Sequence, residues 1–135
     1  MYKLILALAA VFFAFILWVI YLANTGGHSV FFDLVRAIPY GDKVGHFCLF
    51  GALTFIATVG LKFKTFRFLK LNIYYGAAFV LLFVIVEELS QGVIPSRTLD
   101  AMDLLADFIG IGCAVLLAYT INHFRIKQLC AVENV

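Results

Sequence analysis

Long apolar runs that are almost free of charge limit what this chain can fold into more than any other feature does. A bilayer core about 30 Å thick needs roughly 20 apolar helical residues to cross it. Runs of about that length occur at residues 4–23, 44–61, 71–94 and 102–122. The sequence therefore predicts an all-α integral membrane protein, with residues 1–135 forming a single domain built as a four-helix bundle.

The composition of the whole chain agrees with a membrane protein. Of its 135 residues, 64% are hydrophobic and only 13% are charged, whereas a soluble domain has about 25% charged residues. So few charges cannot cover a water-facing surface, which excludes a soluble monomer. A formal net charge of +2 provides no basic face for nucleic acid. The three dispersed cysteines fit neither a disulfide framework nor a zinc site.

The distribution of lysine and arginine predicts the orientation, because cationic segments of membrane proteins stay in the cytoplasm. Seven cations lie on one side of the expected bundle: Lys3, Lys62, Lys64, Arg67, Lys70, Arg125 and Lys127. Three lie on the other side: Arg36, Lys43 and Arg97. We therefore expect both termini to be cytoplasmic. The apolar part of the first loop, around residues 30–38, is expected to form a short helix at the outer surface.

Small residues predict where helices approach one another closely. Gly110, Ala114 and Ala118 recur every four residues and would form a packing face on the fourth span. A second face of this kind would consist of Ala7, Ala10 and Ala14 on the first span. Such faces would also serve to join copies of the chain in a homo-oligomer.

Ionisable residues gather at three places that the expected topology puts on the extracytoplasmic side. Asp42, Lys43 and His46 begin the second span; Glu87, Glu88 and Gln91 end the third; Arg97 precedes Asp100, Asp103 and Asp107 at the start of the fourth. A charge at the bilayer centre costs roughly 2.5–3.5 kcal/mol. We therefore expect these groups to face inward and form a polar pocket.

Each of these residues also has a purely structural interpretation. Asp42 and Asp100 would cap helices, and Lys43 and Arg97 would anchor helix ends at the membrane surface. His46 would be a hydrogen-bonded structural histidine. Of the adjacent Glu87 and Glu88, one is expected to face inward and the other to face loop or water.

Four segments between residues 42 and 114, taken together, resemble the VanZ-like family of small bacterial membrane proteins. They are Asp42-Lys-Val-Gly-His46-Phe47, Glu88-Leu-Ser-Gln91, Pro95-Ser-Arg97 and Asp103-Leu-Leu-Ala-Asp107-Phe-Ile-Gly110. The residues that match the family pattern are Lys43, His46, Glu88, Gln91, Arg97, Asp103 and Gly110. At Asp107 the family most often has Asn. The resemblance implies a multi-pass protein of the bacterial cytoplasmic (inner) membrane, associated with the cell envelope and with teicoplanin-type resistance.

The expected pocket is suited to binding, or processing, an anionic lipid or a lipid-linked envelope precursor. Lys43, Gln91, Arg97 and Asp107 are the expected ligand-binding residues, since cations hold phosphate well. His46, Glu88 and Asp103 are the candidate catalytic residues. Glu88, Asp103 and Asp107 are candidate ligands for a hard divalent cation such as Mg²⁺ or Ca²⁺. Partners would be membrane lipids and lipid-linked phosphate. Whether the chain is an enzyme stays open.

Two other classes of function are also compatible with the sequence. A small proton- or cation-coupled transporter would use the carboxylates as relays, although the cytoplasmic halves of the spans are apolar. A membrane assembly or scaffold subunit would use the polar cluster to hold its helices together.

Overall fold

The computed structural model describes residues 1–27, 29–94 and 97–133, and the chain is mostly helical. In chain order the elements are α1 (Tyr2–Asn24), α2 (Val30–Arg36), α3 (Gly41–Gly60), β1 (Thr65–Phe68), β2 (Leu71–Tyr74), α4 (Tyr75–Gln91) and α5 (Ala101–Glu133). The helix α2 lies in the first loop, as expected. The small sheet formed by β1 and β2 was not expected.

Within these described ranges, three helices are long and apolar enough to cross a membrane: α1, α3 and residues 101–130 of α5. At about 1.5 Å per residue each of them exceeds or equals the roughly 30 Å of a bilayer core. The fourth, α4, has 17 residues, which gives it about 26 Å. The four-helix membrane bundle therefore stays a prediction, whereas a mostly helical fold with three candidate spans is established.

The third predicted span, residues 71–94, was wrong at its start because residues 71–74 form a strand. That strand pairs antiparallel with β1 in the register Thr65↔Tyr74 to Phe68↔Leu71. Hydropathy counts apolar residues but does not distinguish a helix from a strand. The aromatic and β-branched residues of this segment suit a pleated, half-buried surface. Lys62 and Phe63 have positive φ angles of 59° and 56°, which turn the chain out of α3 and into the hairpin.

The helix α3 lies at the centre of the molecule and contacts α1, α2, α4 and α5. Its Phe50 and Leu53 belong to a buried core to which every long helix contributes. The other members from the helices are Ile16 of α1, Ala77, Val80 and Val84 of α4, and Ile111 and Ala118 of α5. Burying one side of each long helix in this way leaves their apolar outer sides exposed, as a lipid environment allows.

A pair of glycines sets the close approach of α3 to α5. A Cβ atom on Gly110 would collide with the carbonyl oxygen of Phe47, and one on Gly51 would lie 3.1 Å from the carbonyl oxygen of Gly110. The packing face expected at Gly110, Ala114 and Ala118 is confirmed, because all three are buried. The face expected on the first span was wrong: Ala7, Ala10 and Ala14 are exposed. That helix packs through Ala9 and Ile16 instead.

The chain enters α3 through a tight turn rather than through the expected aspartate cap. Tyr40, with a φ of 56°, is the N-cap residue, and Asp42 lies inside the first turn without capping it. The next residue, Gly41, leaves no room for a side chain beside the carbonyl oxygen of Val35. At α5 the expected cap is confirmed, because Oδ1 of Asp100 accepts a hydrogen bond of 2.8 Å from the N–H of Met102.

Candidate functional site

The start of α3, the end of α4 and the start of α5 meet at one end of the bundle. Every residue that the sequence singled out lies there: Lys43 and His46 on α3, Glu88 and Gln91 on α4, Arg97 in the connection to α5, and Asp103 and Asp107 on α5. Hydrogen bonds join the three helices at this point. Most of these side chains are buried or half-buried.

An ammonium group surrounded by three carboxylates joins α3 to α5. Nζ of Lys43 donates to Oδ2 of Asp42 at 2.8 Å, to Oδ2 of Asp100 at 2.8 Å and to Oδ1 of Asp103 at 2.9 Å. The hydrogen bond from Lys43 holds the pKa of Asp100 below its ordinary value. The Lys43 side chain is 21% exposed and that of Asp103 is 12% exposed, whereas Asp42 and Asp100 are 57% and 39% exposed, so water screens the last two contacts in part.

A histidine–aspartate pair forms the second contact between α3 and α5. Nδ1 of His46 lies 3.1 Å from Oδ1 and 3.2 Å from Oδ2 of Asp107, whose side chain is 1% exposed. A carboxylate in this position orients the imidazole and fixes the proton on Nδ1. In the part of the chain that the structure describes, no protein group is hydrogen-bonded to the other ring nitrogen, Nε2.

The two adjacent glutamates of α4 are both buried, so the expected split between an inward and an outward one was wrong. Nε2 of Gln91 donates to both carboxylates, at 2.9 Å to Oε2 of Glu87 and at 3.1 Å to Oε2 of Glu88. Oε1 of Glu88 also accepts a hydrogen bond of 2.8 Å from the N–H of Asp100. These partners supply the hydrogen bonds that buried carboxylates require, and they tie the end of α4 to α5.

The carboxylates that come together are not the three that were expected to bind a divalent cation. Among the described residues, the acidic oxygens within 4.8 Å of one another belong to Asp42, Asp100 and Asp103. The Lys43 ammonium is bonded to all three, so a protein cation already offsets one of their three negative charges. Of the three residues expected to bind the cation, Glu88 is hydrogen-bonded to Gln91, and Asp107 is within hydrogen-bonding distance of His46.

A cavity of about 390 Å³ lies beside this network and has two chemically different walls. Its apolar wall is formed by α1 and α2 with part of α3: Ile16, Val19, Ile20, Ala23, Phe32, Val35, Leu49 and Phe50. Its polar wall contains Asp42, His46, Glu87, Arg97 and Asp103. Ligand cavities commonly combine a mainly apolar lining with a few polar groups that fix orientation.

The polar groups of the site divide into those that neutralise one another and those that remain available. Lys43 and its carboxylates are mutually paired, and Asp107 is paired with His46. Across residues 1–27, 29–94 and 97–133, the guanidinium of Arg97 makes no ion pair. Glu87 has the Gln91 amide for a partner but no cation. Among the described residues, Arg97 and Glu87 are therefore the charged side chains of the polar wall that have no ion-pair partner, and Nε2 of His46 has no protein hydrogen bond.

The structure distributes the sequence-predicted site residues between the cavity wall and the network behind it. Arg97, His46 and Asp103 line the cavity; Lys43, Glu88, Gln91 and Asp107 do not. Sequence reasoning gave no role to Glu87 beyond the choice between it and Glu88, nor to the wall formed by α1 and α2. The apolar residues of the first loop were the available signal for that wall.

Comparison with known proteins provides no relative for this chain: no family model, curated protein or solved structure matches it. Neither its family nor its activity can therefore be transferred from another protein. The resemblance to the VanZ-like family stays a prediction, and the functional argument depends on the geometry of the site.

Proposed function

We propose that this chain is a four-span, VanZ-like protein of the bacterial inner membrane whose cavity binds the phosphate-bearing headgroup of a lipid or of a lipid-linked envelope precursor. The observation that carries the proposal is the two-walled cavity, whose lining combines an apolar surface with Arg97, a cation that has no ion-pair partner among the described residues. A phosphate attached to a hydrocarbon chain has the same two-part chemistry. Binding of such a molecule would link the protein to envelope assembly and, by its resemblance, to glycopeptide resistance.

The proposal includes α4 as the fourth span, although this helix is short. Its outer side is apolar and exposed at Phe79, Leu82, Val86 and Leu89, and its inner side packs against the core through Val80 and Val84. A length of about 26 Å lies close to the range that a tilted or slightly thinned bilayer accepts. With four spans, both termini and the cationic hairpin would lie in the cytoplasm, and the cavity would lie at the outer surface.

The charges around the cavity restrict the ligand further. Arg97 is suited to bidentate contact with one phosphate. Glu87 and Asp103 would repel a second phosphate, but they would accept hydrogen bonds from hydroxyl or amino groups. The geometry therefore favours a headgroup with a single phosphate and neighbouring hydrogen-bond donors over a free polyphosphate.

The His46–Asp107 pair supplies the chemistry for processing, if the bound molecule is also a substrate. With its proton held on Nδ1 by Asp107, His46 would have an unprotonated Nε2 that can act as a general base. It would take a proton from water or from a ligand hydroxyl while Asp107 stabilises the imidazolium that forms. Asp103 and Glu88 would position Lys43 and the end of α4.

Native mass spectrometry of the protein, extracted with its membrane lipids, tests the binding proposal. We expect a phosphate-bearing lipid to remain on the wild-type protein and to be lost from Arg97→Gln. Lys127→Gln, which removes an exposed cation at the other end of the molecule, is the matched control and should keep the lipid. Equal retention by Arg97→Gln and the wild type would overturn the proposal, as would a specifically retained metal ion without a lipid.

A scaffold role is the second candidate, and the three-carboxylate contact of Lys43 favours it because that contact joins helices. Under this alternative, Asp103→Ala would make the bundle fall apart in detergent and no ligand would be found. A proton relay across the membrane has less support. Among the described residues, the buried polar side chains beyond this end are Thr54 and Thr58, neither of which is ionisable.

A further inference from the structure

The hairpin formed by β1 and β2 has one apolar face and one polar face. Cross-strand partners in an antiparallel pair lie on the same face of the sheet. The pairs Phe68↔Leu71 and Phe66↔Ile73 therefore form one side. The pair Arg67↔Asn72 lies on the other side, together with Thr65↔Tyr74 at the base, where Tyr74 is buried in the core. Leu69 and Lys70 form the turn between the strands.

The apolar face of this hairpin is uncovered near its tip. Phe68 is 58% exposed, Leu71 is 68% exposed and Leu69 is 83% exposed. A two-stranded hairpin is marginally stable in water unless another surface packs against it. Contacts with the rest of the chain support the base of the hairpin, and the apolar tip is left available to a surface outside the described residues.

Exposed cations lie along the hairpin from its base to its tip. They are Lys62, Lys64, Arg67 and Lys70, and none of the four makes an ion pair with an acidic group in the described ranges. The segment from Lys62 to Tyr74 contains no acidic residue at all. Its charge is thus complementary to an anionic surface.

Packing against α4 fixes where the hairpin can lie. The N–H of Tyr75 donates to the carbonyl oxygen of Lys64 at 3.1 Å, and the rings of Phe66 and Tyr75 are 5.0 Å apart. Thr65 follows the end of α3 by only five residues. Because α3 is a candidate span, these contacts hold the hairpin at the depth of the lipid headgroups.

We propose that the hairpin lies in the headgroup region of an anionic leaflet, with its apolar face toward the acyl chains and its cations bound to lipid phosphates. Phe68, Leu69 and Leu71 would enter the boundary between headgroups and acyl chains. Anionic phospholipid is the expected occupant because a mixed apolar and cationic surface at this depth matches its chemistry. The proposal depends on membrane insertion of α3 and is independent of what the cavity binds.

Tryptophan fluorescence in reconstituted full-length protein tests this placement. In a Trp18→Phe background, Phe68→Trp reports on the apolar face and Asn72→Trp on the polar face of the same hairpin. The vesicles are phosphatidylcholine alone or equal parts phosphatidylcholine and phosphatidylglycerol, with and without bromine on the acyl chains. We expect the Phe68→Trp emission to be blue-shifted and quenched by brominated lipid, and the Asn72→Trp emission to stay open to aqueous acrylamide.

Removal of the cations provides a second readout that does not need the tryptophan variants. We expect replacement of Lys62, Lys64, Arg67 and Lys70 by Gln to reduce co-purifying phosphatidylglycerol in native mass spectra. Equal acrylamide quenching of the two reporters would overturn the proposal. Shielding of Phe68→Trp in native membranes but not in vesicles would also overturn it, since a protein partner would then cover the face. Because none of these residues lines the cavity, failure here leaves the cavity proposal standing.

Discussion

Nδ1 of His46 lies 3.1 Å from Oδ1 of Asp107, although the two residues are 61 positions apart in the sequence. Helix α3 supplies the imidazole and helix α5 supplies a carboxylate that is almost completely shielded from solvent. The pair therefore links the two helices and also occupies Nδ1 of a ring that lines the cavity. This one contact is thus expected to contribute both to the stability of the bundle and to the chemistry of the site.

Replacing Asp107 tests how much this contact contributes to stability. Asp107→Ala leaves Nδ1–H of His46 without an acceptor, and we expect a loss of about 1–3 kcal/mol in the free energy of unfolding. Asp107→Asn keeps an acceptor oxygen and should cost less than about 1 kcal/mol. Equilibrium unfolding in mixed micelles measures both, with the exposed Asp33→Ala as control. Equal stability of Asp107→Ala and the wild type would show that the contact is not formed.

Replacing Lys43 tests the three-carboxylate contact. Lys43→Ala leaves Asp42, Asp100 and Asp103 without a counter-charge, and we expect a loss of about 1–3 kcal/mol in the free energy of unfolding, because the site is only partly desolvated.

The matched control for Lys43→Ala is Lys64→Ala, which removes an exposed cation and should stay within about 0.5 kcal/mol of the wild type. Adding Asp103→Asn to Lys43→Ala should restore part of the loss, since it removes one of the repelling charges. Strictly additive effects of the two changes would contradict the contact.

The paired state of Asp100 predicts a dependence of stability on pH. The hydrogen bond from Lys43 lowers the folded-state pKa of Asp100 below its unfolded value. The contact therefore stabilises the protein fully above the unfolded pKa, about 3.9, and this contribution is lost as the pH falls through the folded pKa.

Asp100→Asn isolates that effect because asparagine caps a helix as well as aspartate does. We expect the Tm of the wild type to fall more steeply than that of the variant below about pH 4. Thermal unfolding as a function of pH measures the difference, and Asp33→Asn serves as the control. Parallel curves for the wild type and Asp100→Asn would show that the ion pair contributes nothing.

Two glycines of α5 provide a matched test of the helix crossing. A methyl group at Gly110 collides with α3, so we expect Gly110→Ala to cost about 1–3 kcal/mol in the free energy of unfolding. At Gly112 an added Cβ atom meets nothing within 4 Å, so Gly112→Ala should be neutral or stabilise the helix by up to about 1 kcal/mol. Equal effects of the two substitutions would contradict the close approach at Gly110.

Much of the helical framework could be predicted from the sequence, because the length of an apolar run and its flanking charges depend on local composition alone. The same is true of the polar end: once Lys43, Glu88 and Asp103 are placed near helix ends, the order of the helices brings them together. The cap at Asp100 and the small-residue face at Gly110 also follow from local patterns.

Which side chains pair with one another at the polar end could not be predicted, because the pairing depends on the rotation of each helix about its own axis. Adjacent glutamates on a helix point about 100° apart, and both are buried here because Gln91 and the backbone of Asp100 supply partners. The group formed by Asp42, Asp100 and Asp103 was missed for a related reason, since it depends on where the Lys43 side chain reaches. The hairpin was missed because an apolar strand and an apolar helix have the same hydropathy.

The crossing of α3 and α5 also controls the route into the cavity. Because these helices touch backbone to backbone at Gly51 and Gly110, a hydrocarbon chain cannot pass between them there. The opposite wall consists of α1, the loop at Gly26 and Gly27, and the short α2. A lipid that binds as proposed would therefore reach the cavity from the side of α1 and α2, with its headgroup toward Arg97.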